Sequence, residues 1–281
     1  MKPLPLKNID RFHRFIKERH AIYQRRSAGA PKPWTRDEIL QSFRFCNVFR
    51  ELDTVTEWIR VNWRDPNTSD PDLFFAMSVA RVFNRTCTLD VIGYPVPWKP
   101  ERAFSRISAF RAAGHAVFTG AYMVSTNGTK KDKVEYVIEN VLNPLWKQRH
   151  QVRPFAGDTL VGFSQRLIEQ NGFKGFMAGQ VTCDVKYAEG SHLRHAEDWW
   201  SFAVSGPGSR RGLNRVVGRG LREPWREHVW HEVLMRLHER TPEVLGEPLH
   251  AQDLQNCLCE FDKYERVRLG EGRPRSRYPG V

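Results

Sequence analysis

The stretch from Asn171 to Asn214 limits what this chain can become more than any other. It reads NGFKGFMAGQVTCDVKY, passes an acidic step at Glu197-Asp198, and continues WWSFAVSGPGSRRGLN. Gly172 and Gly175 predict a tight turn, and residues 176–185 predict a helix of small and apolar side chains directly after it. Without a Cβ, glycine lets backbone N–H groups approach an anion closely. At the start of a helix such groups suit a DNA phosphate, and Lys174 adds a cation to the turn. A second glycine turn follows, with Ser205, Gly206, Gly208 and Ser209 beside Arg210, Arg211 and Asn214. It is either a second phosphate nest or an ordinary turn. It lacks the Gly-Lys-Ser/Thr ending of a P-loop, and no other stretch supplies one, so an autonomous P-loop kinase is not expected.

Composition narrows the partners. The net charge is +12, and 44 Lys and Arg residues outweigh 32 Asp and Glu. Such an excess favours a polyanion, most simply nucleic acid. With 40% hydrophobic residues the chain is globular, and 281 residues suffice for one large core or two lobes sharing a cleft. The five cysteines (Cys46, Cys87, Cys183, Cys257, Cys259) are odd in number and form no CxxC pair, which points to a reducing, cytoplasmic setting. The start MKPLPLKNIDRF has no apolar core of a signal peptide, and no run is long enough to span a membrane.

Periodicity predicts a mostly α protein with little or no sheet. Residues 9–26 place Ile9, Phe12, Phe15, Ile16, Ile22 and Tyr23 at helical spacing, with a basic opposite face that is either solvated or laid along phosphates. Thr35 is the expected N-cap of a helix over 36–50, with Glu38 at the capping-box offset. A helix pair is expected from 47 to about 63. LFFAMSVARVFN is apolar nearly all round and reads as a central helix. GYPVPWKP is extended, 103–113 helical, and AVFTGAYMVST either a short strand or irregular. Helices follow over 133–149, 159–169 with Asp158 as cap, 224–240 and 251–267. The Gly/Pro/Arg-rich tail from about 268 reads as basic and flexible. No repeat or linker appears, so 1–281 reads as one bilobal domain.

Several side chains are candidates for chemistry. Asp198 either caps a helix over WWSFAV or stabilises positive charge on a sugar and activates water. Asp184, four residues after Gln180 on an apolar helix, either pairs with a cation or faces a cleft. Asn47, Arg50, Glu51 and Asp53 sit among Phe45, Val48 and Leu52, where unpartnered polar groups are costly. They form either a structural knot or a polar pocket. Asn256, Glu260 and Lys263 line one face of the last helix. Trp199 and Trp200 are either core or a stacking wall for a base. His228, His231 and Glu232 do not match HExxH, and no metal or cofactor is expected.

The segments KPWT, FRFCNVFRELDTVT, NWRDP, FTGAYMVS, GFMAGQVTCDVKY, SGPGSRRGLNR and DLQNCLCEFDKYERVRLGEGRPRSRYPG span nearly the whole chain. Together they resemble the alpha-glutamyl/putrescinyl thymine pyrophosphorylase family. They are also similar to the helical domain attached to phage 5-hydroxymethyluracil DNA kinases. The resemblance implies a helix-hairpin-helix, DNA-glycosylase-like fold working on hypermodified phage DNA. Some members are expected to transfer an amino acid or polyamine onto a phosphorylated hydroxymethyl base, others to excise modified bases as anti-phage defence. It implies a catalytic Asp after the hairpin, carried here to Asp198 with Asp184 in reserve. Met177, Ala178 and Gln180 occupy the first helical positions where lyase-type relatives carry a lysine, so hydrolysis is expected over Schiff-base chemistry. The expectation is a monomeric, monofunctional DNA glycosylase that everts a 5-substituted pyrimidine from double-stranded DNA. Gly172, Lys174, Gly175 and the second glycine turn hold phosphates; Asn47, Arg50, Glu51, Asp53, Gln180, Asn256, Glu260 and Lys263 form the base pocket. A transferase acting on phosphorylated hydroxymethyluracil and a non-catalytic DNA-binding module are the alternatives.

Overall fold

A computed structural model describes residues 5–120, 124–241, 244–274 and 277. In chain order the helices are α1 (Leu6–Ser27), α2 (Glu38–Ser42), α3 (Thr54–Ile59), α4 (Leu73–Phe83), α5 (Thr86–Ile92), α6 (Pro100–Ala112), α7 (Lys133–Tyr136), α8 (Asn143–Lys147), α9 (Arg149–Val152), α10 (Leu160–Ile168), α11 (Gly175–Lys186), α12 (Pro207–Val217), α13 (Glu227–His238) and α14 (Ala251–Arg268). Among the described residues no strand forms; Phe43 and Arg277 make an isolated bridge. The fold is mostly α, as the periodicity predicts. No described helix is long and apolar enough to cross a membrane.

Contacts divide the chain into two compact units, 54–202 and a discontinuous one made of 1–53 with 203–281. In the discontinuous unit the stripe of α1 packs Phe12 edge-on against Phe261 of α14, with centroids 5.2 Å apart. Leu213 of α12 and Trp230 of α13 complete this core. α12 and α14 pack closely because two glycines of α12 face α14. A Cβ on Gly212 would stand 2.0 Å from the carbonyl oxygen of Leu258, and one on Gly208 would stand 2.3 Å from Cys259 Sγ.

In the unit 54–202 every residue of α4 is buried, as its all-round apolar pattern predicts. Phe74 meets Phe163 of α10, and Phe75 lies between Trp98 and Trp146. α11 packs on both α4 and α10.

Three predicted elements differ. The helix expected over 36–50 stops at Ser42, and Asp37 rather than Thr35 caps it, accepting from Ile39 and Leu40 N–H. Residues 43–49 run without helix because buried side chains take over their backbone groups. Arg19 binds the carbonyls of Phe45 and Cys46, and Glu260 binds the N–H of Cys46. WWSFAV forms a turn and an extended run instead of a helix. Of the expected pair over 47–63, one helix, α3, forms and runs on as a π-helical turn over Arg60–Arg64. The described part of AVFTGAYMVST carries no strand; its residues 121–123 lie outside the described residues, as does most of the tail from 275.

Candidate functional site

The predicted glycine turn is present within the unit 54–202. α10 ends at Ile168, residues 169–174 reverse the chain, and α11 starts at Gly175. Gly172 has φ +84°, a left-handed conformation, and a Cβ there would meet Val141 at 2.8 Å. Both facts require glycine. Lys174 is exposed and stands at the N-cap of α11, and no side chain caps that helix. Its first N–H groups and Lys174 therefore present positive potential together.

Asp198 lies at the other end of α10. Its carboxylate accepts the N–H of Leu160 at 2.8 Å and of Val161 at 2.9 Å. It thus does the work of an N-cap for α10, while Thr159 caps the same helix through Gly162 N–H. The length of α10, about 1.5 Å per residue, separates Asp198 from the turn. Asp158, expected as that cap, instead pairs with Arg166 and accepts Phe155 N–H. Asp184 makes a two-pronged pair with Arg81, each contact 2.6 Å, and the two side chains are 1% and 2% exposed. Arg81 also reaches Thr56 Oγ1 and Asn84 Oδ1. Gln180 is buried on the same helix. Trp199 is taken up by its neighbours, with Lys186 Nζ 4.5 Å from its ring and Tyr187 against its edge; Trp200 stands exposed.

The second glycine turn is bound into the protein. Ser205 and Arg210 both bind Glu227, and Ser209 accepts Gly206 N–H. Burial works to raise the Glu227 carboxyl, but the bonds from Ser205 and Arg210 outweigh it and hold it low. Arg211 pairs with the buried Asp262 at 2.8 Å, and Asn214 bonds the carbonyls of Leu221 and Glu223. Gly208 is accounted for by contact with α14.

The other predicted polar residues converge in the discontinuous unit. Asn47 N–H donates to Asp53 Oδ1 at 2.8 Å, and its side chain donates to Leu52 O. Arg19, 4% exposed, donates to Asn47 Oδ1 at 2.7 Å. From α14, Glu260 (4% exposed) accepts Cys46 N–H at 3.0 Å and pairs with Lys263 at 2.5 Å. Asp253 accepts Arg50 N–H at 3.0 Å, Asn256 reaches Asn47 O, and Arg50 lies 3.8 Å from Glu51. Burial pushes the Asp53 carboxyl up to about 6; the negative charge of Glu260 adds to this, while Asn47 N–H, Arg50 and Arg19 oppose it. Burial disfavours the Lys263 ammonium, yet Glu260 overrides it and raises its pKa. A carboxyl that trades its proton near neutrality, beside a fixed ammonium–carboxylate pair, is equipped for acid–base chemistry.

Arg19 and Asp253 belong to this cluster and escape a reading by residue type. The signal for Arg19 lies in register: it falls between Ile16 and Ile22, on the apolar stripe of α1, where a solvated arginine has no place.

Among the described residues the chain is mostly helical and without strands, and it carries a glycine turn between two helices. The chain belongs to the family "5-hmdU DNA kinase, helical domain", whose model matches residues 7–273. It is similar to a protein of Bacillus phage SP10 named 5-hmdU DNA kinase, with 27% identity over 238 residues. That match covers 73% of this chain and 35% of the relative, so the chain spans about a third of the relative's length. No solved structure matches.

Proposed function

We propose that this chain binds double-stranded DNA, everts a 5-substituted, hydroxymethyl-type pyrimidine and cuts its N-glycosidic bond. The observation that carries the reading is the meeting of 43–53 and α14 around Asp53, a carboxyl pushed up to about 6. In the proposed step the Asp53 carboxylate takes a proton from water as the oxygen adds to C1′. The C1′–N1 bond breaks, its electron pair stays on the base, and the base collects a proton. Asn256 and the Glu260–Lys263 pair recognise the base edge; Asn47, whose side-chain amide is held by Arg19 and Leu52, positions Asp53 through its N–H, and Arg50 and Glu51 border them. Within the unit 54–202, and independently of the Asp53 cluster, the α11 turn with Gly172, Lys174 and Gly175 is a candidate anchor for a DNA phosphate. Asp198 and Asp184 take supporting roles, since their oxygens already serve α10 and Arg81.

The DNA reading draws on the net charge of +12 and on the family. The substrate class draws on the relative's name, 5-hmdU DNA kinase. The resemblance of the motifs to the alpha-glutamyl/putrescinyl thymine pyrophosphorylase family supports a second reading: an amine, deprotonated by Asp53, bonds to the methylene carbon of a phosphorylated 5-hydroxymethyluracil, whose C–O bond breaks and releases the phosphate. Excision would suit defence against phages with modified DNA; transfer would suit making such DNA.

The test is incubation with DNA containing 5-hydroxymethyluracil or hypermodified pyrimidines, then alkali and mass analysis of the free base. Base release with alkali-labile sites is expected. Asp53→Asn should lower release by about a hundredfold or more while DNA binding persists. Asp198→Asn should keep most activity. The reverse pattern would move catalysis to Asp198. An amine adduct without an abasic site would select transfer.

A further inference from the structure

Within the unit 54–202 a cavity of about 210 Å³ opens between the extended run 92–99 and the first turns of α6. Lys99, Arg102 and Arg106 line it, and no carboxylate does. Among the described residues none of the three makes an ion pair. Arg106 is held in place, its Nη1 donating to the carbonyls of Val91 at 3.3 Å and Ile92 at 3.1 Å. The backbone closes on that guanidinium at Gly93, where a Cβ would lie 3.6 Å from Nη1. One wall is rigid. Trp98 Nε1 donates to Asn143 Oδ1 at 2.6 Å, and its ring meets Phe75 with centroids 5.4 Å apart. Tyr94 spends its hydroxyl on Asp70. α6 begins at Pro100 with no side-chain cap, so its dipole adds positive potential near the same place.

Three cations around one small cavity repel one another unless an anion joins them. Two guanidinium forks and an ammonium match the several acceptor oxygens of a tetrahedral phosphate better than the two of a planar carboxylate. We infer that this cavity binds a phosphate oxyanion, carried by DNA or by a free phosphate compound. This site is separate from the Asp53 cluster, and the inference does not rest on the glycosidic reading.

The test is calorimetric titration of the full chain with inorganic phosphate, pyrophosphate, acetate and a short single-stranded oligonucleotide. Phosphate or pyrophosphate is expected to bind, and acetate at least about tenfold more weakly. Lys99→Ala with Arg102→Ala removes two exposed cations without disturbing the core. This variant should lose affinity for the phosphate ligands by about tenfold or more. Arg106→Lys, which keeps charge but loses the fork, should weaken binding less. A control, Lys130→Ala with Lys147→Ala, removes the same charge elsewhere and should change little. Loss confined to the oligonucleotide assigns the site to a backbone phosphate; loss for pyrophosphate assigns it to a free compound. Equal binding of acetate and phosphate, no binding by the wild type, or equal losses in variant and control would each overturn the inference.

Discussion

Asp53 sits where burial and charge pull against each other, and its protonation carries a testable sign. Its folded pKa of about 6 lies above the ~4 of an unfolded aspartate. The protonated form is therefore the one the fold favours, and its contribution is intact below about pH 4 and lost as the pH rises through 6. Asp53→Asn cannot titrate. Denaturant melts across this range should show the wild type losing stability relative to Asp53→Asn, and a pH-independent gap would contradict the assignment. The rate should rise with pH through about 6 in the wild type, since the base must be deprotonated. The Asp184–Arg81 pair makes the opposite case, where function is not needed to explain the charge. Arg81→Ala leaves a buried carboxylate alone and should destabilise the protein by about 3–5 kcal/mol. Thermal denaturation checks this; a change near zero would mean that Asp184 is solvated. Asp184 could be read from sequence as needing a partner, because a carboxylate on an apolar helix must find one. Its partner could not, because Arg81 lies 103 positions away.

At the scale of elements, the long helices were legible and the irregular run 43–49 was not. Helical spacing reports which face is buried, and α1 keeps its apolar stripe of Ile9, Phe12, Phe15, Ile16 and Ile22 inside, while α4, apolar nearly all round, is buried all round. Residues 43–49 also carry an apolar pattern, but Arg19 and Glu260 occupy their backbone groups from other helices. No local pattern announces such a contact. The glycines divide in the same way. Gly172 was read as a turn glycine, and its φ of +84° is consistent with that. Gly208 belongs by sequence to either a phosphate nest or an ordinary turn, and its environment is a helix–helix contact with α14. Gly212→Ala drives a methyl into the backbone of α14 and should destabilise by about 3 kcal/mol. Gly208→Ala should cost less, because the Cys259 side chain can rotate away while the Leu258 carbonyl cannot. Chemical denaturation of both variants checks the order; equal effects would mean that α12 shifts as a body. The start of α11 carries a different prediction. Lys174→Ala should lower the salt slope of DNA binding by about one counterion and leave stability unchanged.

For the whole molecule, charge and connectivity were legible to different degrees. A net charge of +12 points to a polyanion from composition alone. The division of the chain was hidden, because residues 1–53 join 203–281 through contacts that no linker composition marks. The unit 54–202 is continuous in sequence and has its own core around α4, α10 and α11. The buried ion pair of Arg81 with Asp184 is internal to it, and so is the Asp198 cap on α10. A continuous segment of this size with its own core meets the requirements for independent folding. Expressed alone, residues 54–202 should give a cooperative thermal transition, and Arg81→Ala should lower its midpoint by several degrees. The discontinuous unit has no such simple test, since its two segments must find each other across 149 intervening positions that the numbering 54–202 encloses. A fragment 54–202 that shows near-native helix content by circular dichroism but no cooperative melt would mean that its core is completed from outside the segment. The phosphate titration of the 92–106 cavity would then require the full chain, whereas a folded fragment should bind pyrophosphate as the intact protein does.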